Sequence, residues 1–432
     1  MTPLCFILMP FGIKKDQNSK EIDFDKIYND FIKPSIEDAG LEPIRVDEEM
    51  IGGIIHKPMY ERLMLCEYAV ADLSILNANV FYELGIRHAI RPHSTISIFE
   101  EKSVLPFDTS FLRSLPYDRE LKDLDTLKKQ LIDKLIYAKE KKHTDSPLFQ
   151  LVDGIQASNI EHIKTDIFRE QVEYSKSIKN KLAQARNDKS LDQLKDIEDS
   201  LGDLENIEVS VIIDLYLSYR DLKAYDEMIS LENKMPKPLA GTTMVQEQLG
   251  LALNRIGEQD RAIRVLEDLI KSHGKSSETN GILGRVYKDK YTQALKENER
   301  LAIGFLKKAT EVYLEGFEAD FRDAYPGINA LTLMDIAGDV RFDEVYPIVL
   351  YAVKQKMKNS CDYWDYATLL ELYVLKNDKQ NALDILSDVL AARRATWESE
   401  TTANNLQIIR DRREKSGADI EYLDEILDIL KG

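Results

Sequence analysis

The sequence predicts two architectures in one chain: an N-terminal α/β domain, doubly wound around a flavodoxin-type parallel sheet, followed by an all-α solenoid of TPR-like helix pairs. Through the first 120 residues, short apolar runs alternate with longer amphipathic ones, the pattern of βαβ units. Past Leu121 the strand signal stops. Further on, Leu249-Gly250 and Leu253 return 34 positions later as Leu283-Gly284 and Tyr287, the period of a helix-turn-helix repeat that buries its apolar face by stacking. The expected organisation is an α/β domain over 1–120, a helical connector over 121–210 and a helical repeat over 211–432.

Cys5 to Met9 reads as the first buried strand, and Lys14 to Glu21 as a polar loop. Phe24, Ile27, Tyr28, Phe31 and Ile32 recur at helical spacing, with Asp23 as N-cap, a kink at Pro34 and Gly40 past the end. Leu41 to Asp47 is the second strand. Gly52-Gly53 breaks the chain before a helix marked by Ile55, Met59, Leu63 and Cys66. Tyr68–Leu73 is the third strand, Asn79–Ile90 a helix, Thr95–Phe99 the fourth strand and Leu112–Pro116 a short fifth. In the repeat, Gly250 and Ala262 stand 12 positions apart; Ala302 and Leu306 are taken to complete the second unit, with an insertion between Lys288 and Arg300. A later unit carries Leu370, Tyr373, Ala382 and Leu386. Small residues let paired helices approach, and large ones fill the groove between neighbours.

Composition limits the function classes. With 58 Lys and Arg against 76 Asp and Glu, the net charge of −18 argues against a nucleic-acid backbone as partner. That charge is spread over all three segments, so it marks no single basic or acidic field. The 3 cysteines, Cys5, Cys66 and Cys361, are far apart and odd in number, which fits a reducing cytoplasm and no disulfide framework. They offer no metal-ligand spacing. The apolar start is too short, and too interrupted by Pro10 and Gly12, for a leader or a span of about 20 residues.

Open α/β sheets bind ligands beyond the carboxyl ends of their strands. Those ends here carry Met9-Pro10-Phe11, Asp47 and Asp72; Gly53 forms a turn able to approach a phosphate; Asn77 and Asn79 open the next helix, with Asn79 read as its cap. Tyr82, Glu83 and His88 lie on that helix.

The stretch ADLSILNANVFYELGIRHA, with Asp72, Asn77, Asn79, Glu83, Gly85 and His88, resembles the motif of the nucleoside 2-deoxyribosyltransferase-like superfamily, whose relatives include TIR-type NAD-cleaving domains. The resemblance covers residues 4–116. It implies that Glu83 is the nucleophile at an anomeric carbon, that Asp72 orients the sugar, and that Asn79 binds a hydroxyl or phosphate. His56 or His88 would assist the leaving base, and Phe11 and Tyr82 would stack on it. Where the family often has an acid six positions before the glutamate, this chain has Asn77, which cannot take a proton. The plainer reading of Glu83 is an i,i+4 pair with Arg87.

In the second half, the repeat landmarks together with GILGRVYKDKY and DAYPGINALTL resemble the TRAFs-binding domain family over residues 150–400. That family includes the regulatory region of apoptosis signal-regulating kinases, and the resemblance implies a scaffold or sensor-linked module. Tyr325-Pro326-Gly327-Ile328-Asn329 reads as a tight loop between helices, with Asn329 capping the next one. No Gly-rich loop with a following lysine, HRD or DFG is present in the chain, so none of the kinase signature set is.

Three functions follow as expectations. The first is a cytoplasmic nucleoside-, nucleotide- or NAD-binding protein that cleaves or transfers at an N-glycosidic bond through Glu83, needs no cofactor, and is regulated by the array. The second is a non-catalytic nucleotide sensor and protein-interaction scaffold in stress or defence signalling. The third places function in the solenoid, which would bind a peptide. Self-association is expected in each, as is the absence of nucleic-acid and membrane partners.

Overall fold

A computed structural model describes residues 2–17, 20–45, 56–106, 109, 112, 114–141, 143–152, 155, 162–358 and 361–431. The predicted strand end at Asp47, the Gly52-Gly53 turn and the side chain of His56 fall outside these residues. Contacts divide the chain into two compact units, 1–218 and 219–432.

The first unit is built on five parallel strands: β1 (Leu4–Leu8), β4 (Glu42–Arg45), β5 (Tyr68–Asp72), β6 (Thr95–Glu100) and β7 (Leu115–Tyr117), in the order β4-β1-β5-β6-β7. Taken by sequence rank this is the 2-1-3-4-5 order of one class of doubly wound sheets, with its switch point between β1 and β5. The strand pleat sorts the apolar side chains. Cys5, Ile7 and Met9 join one core with Phe24, Phe31, Ile36, Val70 and Ile98, while Leu4, Phe6 and Leu8 join the other with Leu63, Ala69, Ala71, Val80 and Leu84.

The polar stretch after β1 is more ordered than a loop: β2 (Ile13–Lys15) and β3 (Glu21–Asp23) form an antiparallel hairpin. Its three-residue strands are too short to leave a periodic signal. Asp23 then caps α1 (Phe24–Ile27) by accepting from the Lys26 amide. Ahead of Pro34 the chain widens into a π-helical turn, Tyr28–Ile32, before α2 (Lys33–Asp38), so the irregularity expected at the proline sits one turn before it. Gly40 closes the helix at φ +69°.

Helices α3 (His56–Leu65) and α4 (Ala78–Ile90) serve the second core. α5 (Leu124–Glu140) buries Leu131 and Leu135 in the first core, beside Tyr117 and Leu121. It is followed by α6 (Pro147–Leu151), α7 (His162–Asn187), α8 (Leu191–Leu201) and α9 (Val209–Asp221), and the division between units falls within α9.

The second unit is an all-α, TPR-like array. α10 (Tyr225–Lys234) and the short α11 (Lys237–Ala240) lead into five antiparallel pairs. These are α12 (Thr243–Arg255) with α13 (Gln259–His273), α14 (Ser277–Ala294) with α15 (Glu299–Ala319), α16 (Ala324–Ala337) with α17 (Phe342–Met357), α18 (Tyr363–Leu375) with α19 (Lys379–Ala391), and α20 (Thr396–Lys415) with α21 (Glu421–Lys431). First helices of successive pairs pack on one another, forming one layer.

Glycines set the closest approaches. A Cβ on Gly250 would lie 2.7 Å from Leu266 Cγ, and one on Gly284 would lie 2.7 Å from Tyr313 Cγ. This corrects the repeat register. Tyr313, not Leu306, answers Leu266, and Ala309, not Ala302, answers Ala262, because both helices of this pair are longer than those of the preceding one, 18 and 21 residues against 13 and 15. The loop expected at Tyr325-Pro326-Gly327 is also helical: these residues form the first turn of α16, whose cap is Asp323, while Asn329 is buried inside it.

Candidate functional site

At the carboxyl edge of the sheet, most candidate side chains are already committed. Met9 and Pro10 are buried. The face of Phe11 is taken by Arg45, whose guanidinium carbon lies 4.5 Å from that ring and 4.6 Å from the Tyr28 ring while pairing with Asp25. Asp72, at the end of β5, is 1% exposed. One of its oxygens accepts from the Ser74 amide at 2.9 Å and from the Ser74 hydroxyl at 2.5 Å, and the other accepts from the Tyr117 hydroxyl at 2.8 Å. Burial outweighs these bonds and pushes its carboxyl up to about 6. The Ser74 hydroxyl also accepts from the Glu100 amide, so the aspartate ties β5 to β6 and β7.

Asn77, not Asn79, caps α4: its side chain accepts from the amides of Asn79 and Val80 at 3.0 and 3.3 Å. The alternation in LNANV gives either asparagine the same local sequence context, and backbone geometry selects the first, extended at ψ 110°. Asn79 is exposed one residue into the helix. Tyr82 is exposed, its hydroxyl 3.1 Å from that of Tyr60.

Glu83 is half-buried, and among the described residues its carboxylate has no hydrogen bond or ion pair. Desolvation alone pushes it up to about 7. The expected pair with Arg87 does not form, because Arg87 points into the core. Its guanidinium donates to the carbonyls of Leu63 and Cys66, both at 2.7 Å, and of Glu67 at 3.1 Å. Arg91 donates to the Met64 carbonyl at 2.7 and 2.9 Å, so an arginine of α4 and the one that caps its end satisfy the open carbonyl end of α3. Burial lowers the Arg87 group to about 10. Its place was legible: Val80, Leu84 and Arg87 share one i, i+4, i+7 stripe, and the first two are core.

His88 lies five residues past Glu83, a turn of about 140° around the helix. It is held down to about 4 by burial and by Arg87, and its carbonyl accepts from the Ser146 hydroxyl. The sequence reading also missed the Arg119 cluster. Arg119 bridges Asp16, at 2.7 Å, and Glu100, at 3.0 Å, and so fastens the hairpin to the sheet edge.

In the array, buried polar side chains join one first helix to the next. Thr279 donates to Glu247 at 2.5 Å, Lys288 to Asn329 at 3.0 Å, Thr332 to Glu371 at 2.6 Å, and the Tyr363 and Thr402 hydroxyls lie 2.8 Å apart. Both signature strings enter this ladder, through Lys288 and Asn329. Among the described residues no group of three His, Cys, Asp or Glu side chains is placed to hold a metal, and no helix is long and apolar enough to cross a membrane.

The MAP3K TRAFs-binding domain family matches residues 80–428, from the first turn of α4 to the last helix. The chain belongs to this family. Among curated proteins it is 28% identical over 218 residues to mitogen-activated protein kinase kinase kinase nsy-1 of Caenorhabditis elegans, covering 45% of this chain and 14% of that protein. Against human mitogen-activated protein kinase kinase kinase 5 it is 25% identical over 284 residues, 60% of this chain and 19% of the kinase. The chain therefore spans less than a fifth of either relative. Among solved structures, a thermophilic TPR protein of Thermus thermophilus aligns with a TM-score of 0.37 at 17% identity, over 46% of this chain and all of that one. A tetratricopeptide repeat protein from Parabacteroides merdae aligns with a TM-score of 0.36 at 16% identity, over 61% and 98%.

Proposed function

We propose that this member of the TRAFs-binding family is a protein-interaction scaffold in signalling, whose helical array holds a protein partner and whose α/β domain precedes that array in the chain. The family match carries this reading, because it runs through the whole array and takes in Arg87 and Arg91, which seat α3. The similarity covers 14% and 19% of these two kinases, and what the rest of their length does is not carried over. A cytoplasmic setting and self-association belong to the same proposal, and Cys5, Cys66 and Cys361, which form no disulfide among the described residues, accord with that setting. The test is proximity labelling in the native host with the full chain and with a variant of the array's first-helix layer. A defined protein whose labelling depends on that layer is expected; labelling identical for both would end the proposal.

A second reading is kept by one observation, the solvent-reachable, unpaired Glu83 carboxyl at about 7. It is the finer reading, in which a deoxyribosyltransferase- or TIR-like domain binds a nucleoside, nucleotide or NAD and cleaves the N-glycosidic bond. In that mechanism Glu83 would attack the anomeric carbon as the base leaves, and water would then release the sugar. Asp72 would act through Ser74 and Tyr117 on the site's shape, since its own oxygens are spent. Incubation with nucleosides, nucleotides and NAD, followed by chromatography for free base, decides it. The scaffold reading expects no base; release that disappears in Glu83→Gln would establish the enzyme.

A further inference from the structure

Beyond the carboxyl ends of β6 and β7, the side where open α/β sheets take ligands, Lys20, Lys102, Arg119, Glu120 and Lys122 line a cavity of about 410 Å³. That size lies within the roughly 300–1,000 Å³ of ligand sites. Four of the five lining side chains are cations and none is apolar, a local excess of positive charge in a chain of net charge −18. The Arg119 cluster holds two of the lysines by their backbones. Arg119 donates to Asp16 and to both oxygens of Glu100, and the same two carboxylates accept the amide of Lys20 at 2.9 Å and that of Lys102 at 3.1 Å. The charge of Arg119 is balanced within this network. The ammonium groups of Lys20 and Lys102 stand outside it, with no hydrogen bond or ion pair among the described residues. Lys122 reaches the cavity through a turn in which Asp118 accepts the Glu120 amide on its side chain at 3.0 Å and the Leu121 amide on its carbonyl at 2.8 Å. Leu121 is buried in the first core at φ +53°, a left-handed conformation that a branched side chain keeps only where its surroundings hold it.

Two carboxylates oppose an incoming anion, Glu120 in the lining and Asp118, which lies 3.7 Å from Lys122 and also attracts Lys102. The contact to Lys122 is solvated, with 74% of that lysine exposed, and a pair of this kind is weak. Three ammonium groups are left for a ligand. A carboxylate is best held by an arginine fork, and the fork in this lining is engaged; lysine binds phosphate as a point charge. One phosphate monoester carries about −1.5 to −2 at neutral pH, short of three positive charges. Two or three linked phosphates match them. With no aromatic or apolar side chain among the described residues of the lining, the cavity offers a base no platform. We propose that it binds a condensed phosphate, a chain of two or three phosphate groups, across Lys20, Lys102 and Lys122, on the frame that Arg119 holds. The chain is either free or the tail of a nucleotide whose base stays outside. The site uses neither Glu83 nor the helical array.

Isothermal titration of the full chain with tripolyphosphate in about 50 mM salt tests this. Saturable binding is expected, at least tenfold tighter than to orthophosphate, and at least tenfold weaker when salt is raised to about 300 mM. The double variant Lys20→Gln, Lys102→Gln should bind at least tenfold more weakly, and it folds normally if its thermal midpoint is that of wild type, since both side chains are exposed. Lys271→Gln with Lys307→Gln removes two exposed charges from the array instead and should stay within twofold of wild type. ATP as a second titrant separates the sources: affinity equal to that for tripolyphosphate assigns the cavity to a nucleotide tail, and a tenfold weaker affinity assigns it to a free chain. Absence of saturable binding overturns the inference, as does orthophosphate bound as tightly as tripolyphosphate, or a Lys20, Lys102 variant within twofold of wild type. Each of those results would leave the array's protein partner untouched.

Discussion

The α/β unit and the helical array both bury charged side chains, and they use them differently. In the first unit such groups close local gaps: Arg87 satisfies the end of α3, Asp72 holds Ser74 and Tyr117, and Glu100 anchors Arg119. Within the array they form rungs between successive repeats, Glu247 to Thr279, Lys288 to Asn329 and Glu371 to Thr332. Apolar stacking alone would tolerate a slip of one helix turn, whereas a buried donor or acceptor that misses its partner is costly. The rungs therefore specify register, and the local closures specify how helices seat on a sheet.

Four measurements would break or sharpen that contrast, from the largest effect down. Arg87→Met leaves buried carbonyls of Leu63, Cys66 and Glu67 without a donor and should cost about 4 kcal/mol. Chemical denaturation should show this loss in the first unit's transition with the array's unchanged.

The second concerns pH. Asp72 near 6, Glu83 near 7 and Asp145 near 7 are all raised by burial above their unfolded values. The folded unit keeps protons that the unfolded chain has lost, so their contribution is full below about pH 4 and fades as pH rises to about 7. His88, lowered to about 4, runs the other way, adding stability as pH climbs from about 4 to 6.5. Asp72→Asn should remove on the order of 3 kcal/mol of the downward slope between pH 4 and 6, read as the denaturation midpoint against pH.

Lys288→Met is third. It strips Asn329 of its donor and leaves the Glu371 carboxylate without its buried cation, at about 2 kcal/mol. Replacing Glu371 by leucine in the same protein should recover at least half of that loss, since uncharged packing often replaces a buried pair without penalty. A larger loss in the double variant would sink the view of the rungs as register devices that cost net stability. Smallest is Arg285→Gln, which breaks only a half-exposed i,i+4 pair worth about 0.3–0.5 kcal/mol. Its thermal midpoint should stay within a degree of wild type.

The fold was legible wherever periodicity was long. All five parallel strands and the helices α3 and α4 follow from the alternating runs, and the 34-residue recurrence exposes the array. What escaped were features that depend on partners distant in sequence. Arg87 looks like a surface residue if only Glu83 is considered, and its carbonyl acceptors lie 20 to 24 residues earlier. Tyr325-Pro326-Gly327 carries turn residues, yet proline in a first helical turn costs nothing and Gly327 is demanded by Phe317 and Val349 pressing on it. At the candidate site the sequence named Glu83 and Asp72 alike; burial separates them, leaving one unpaired and the other fully bonded. Asp47 and Gly53 lie outside the described residues, so the second strand's end contributes no geometry to that comparison.

The insertion that displaced the repeat register has a kinetic consequence. α14 and α15 run 18 and 21 residues, against 13 and 15 in the preceding pair, and α15 continues onto α16. Among the described residues this hairpin makes the most extensive pairing of any two elements, all of it between chain segments close in sequence. Such local pairing forms early, and a stack of nearest-neighbour units grows outward from wherever it first holds. The array should accordingly fold from its middle and fray from its ends. In native-state hydrogen exchange, amides of α10 and α21 would open long before those of α14 and α15.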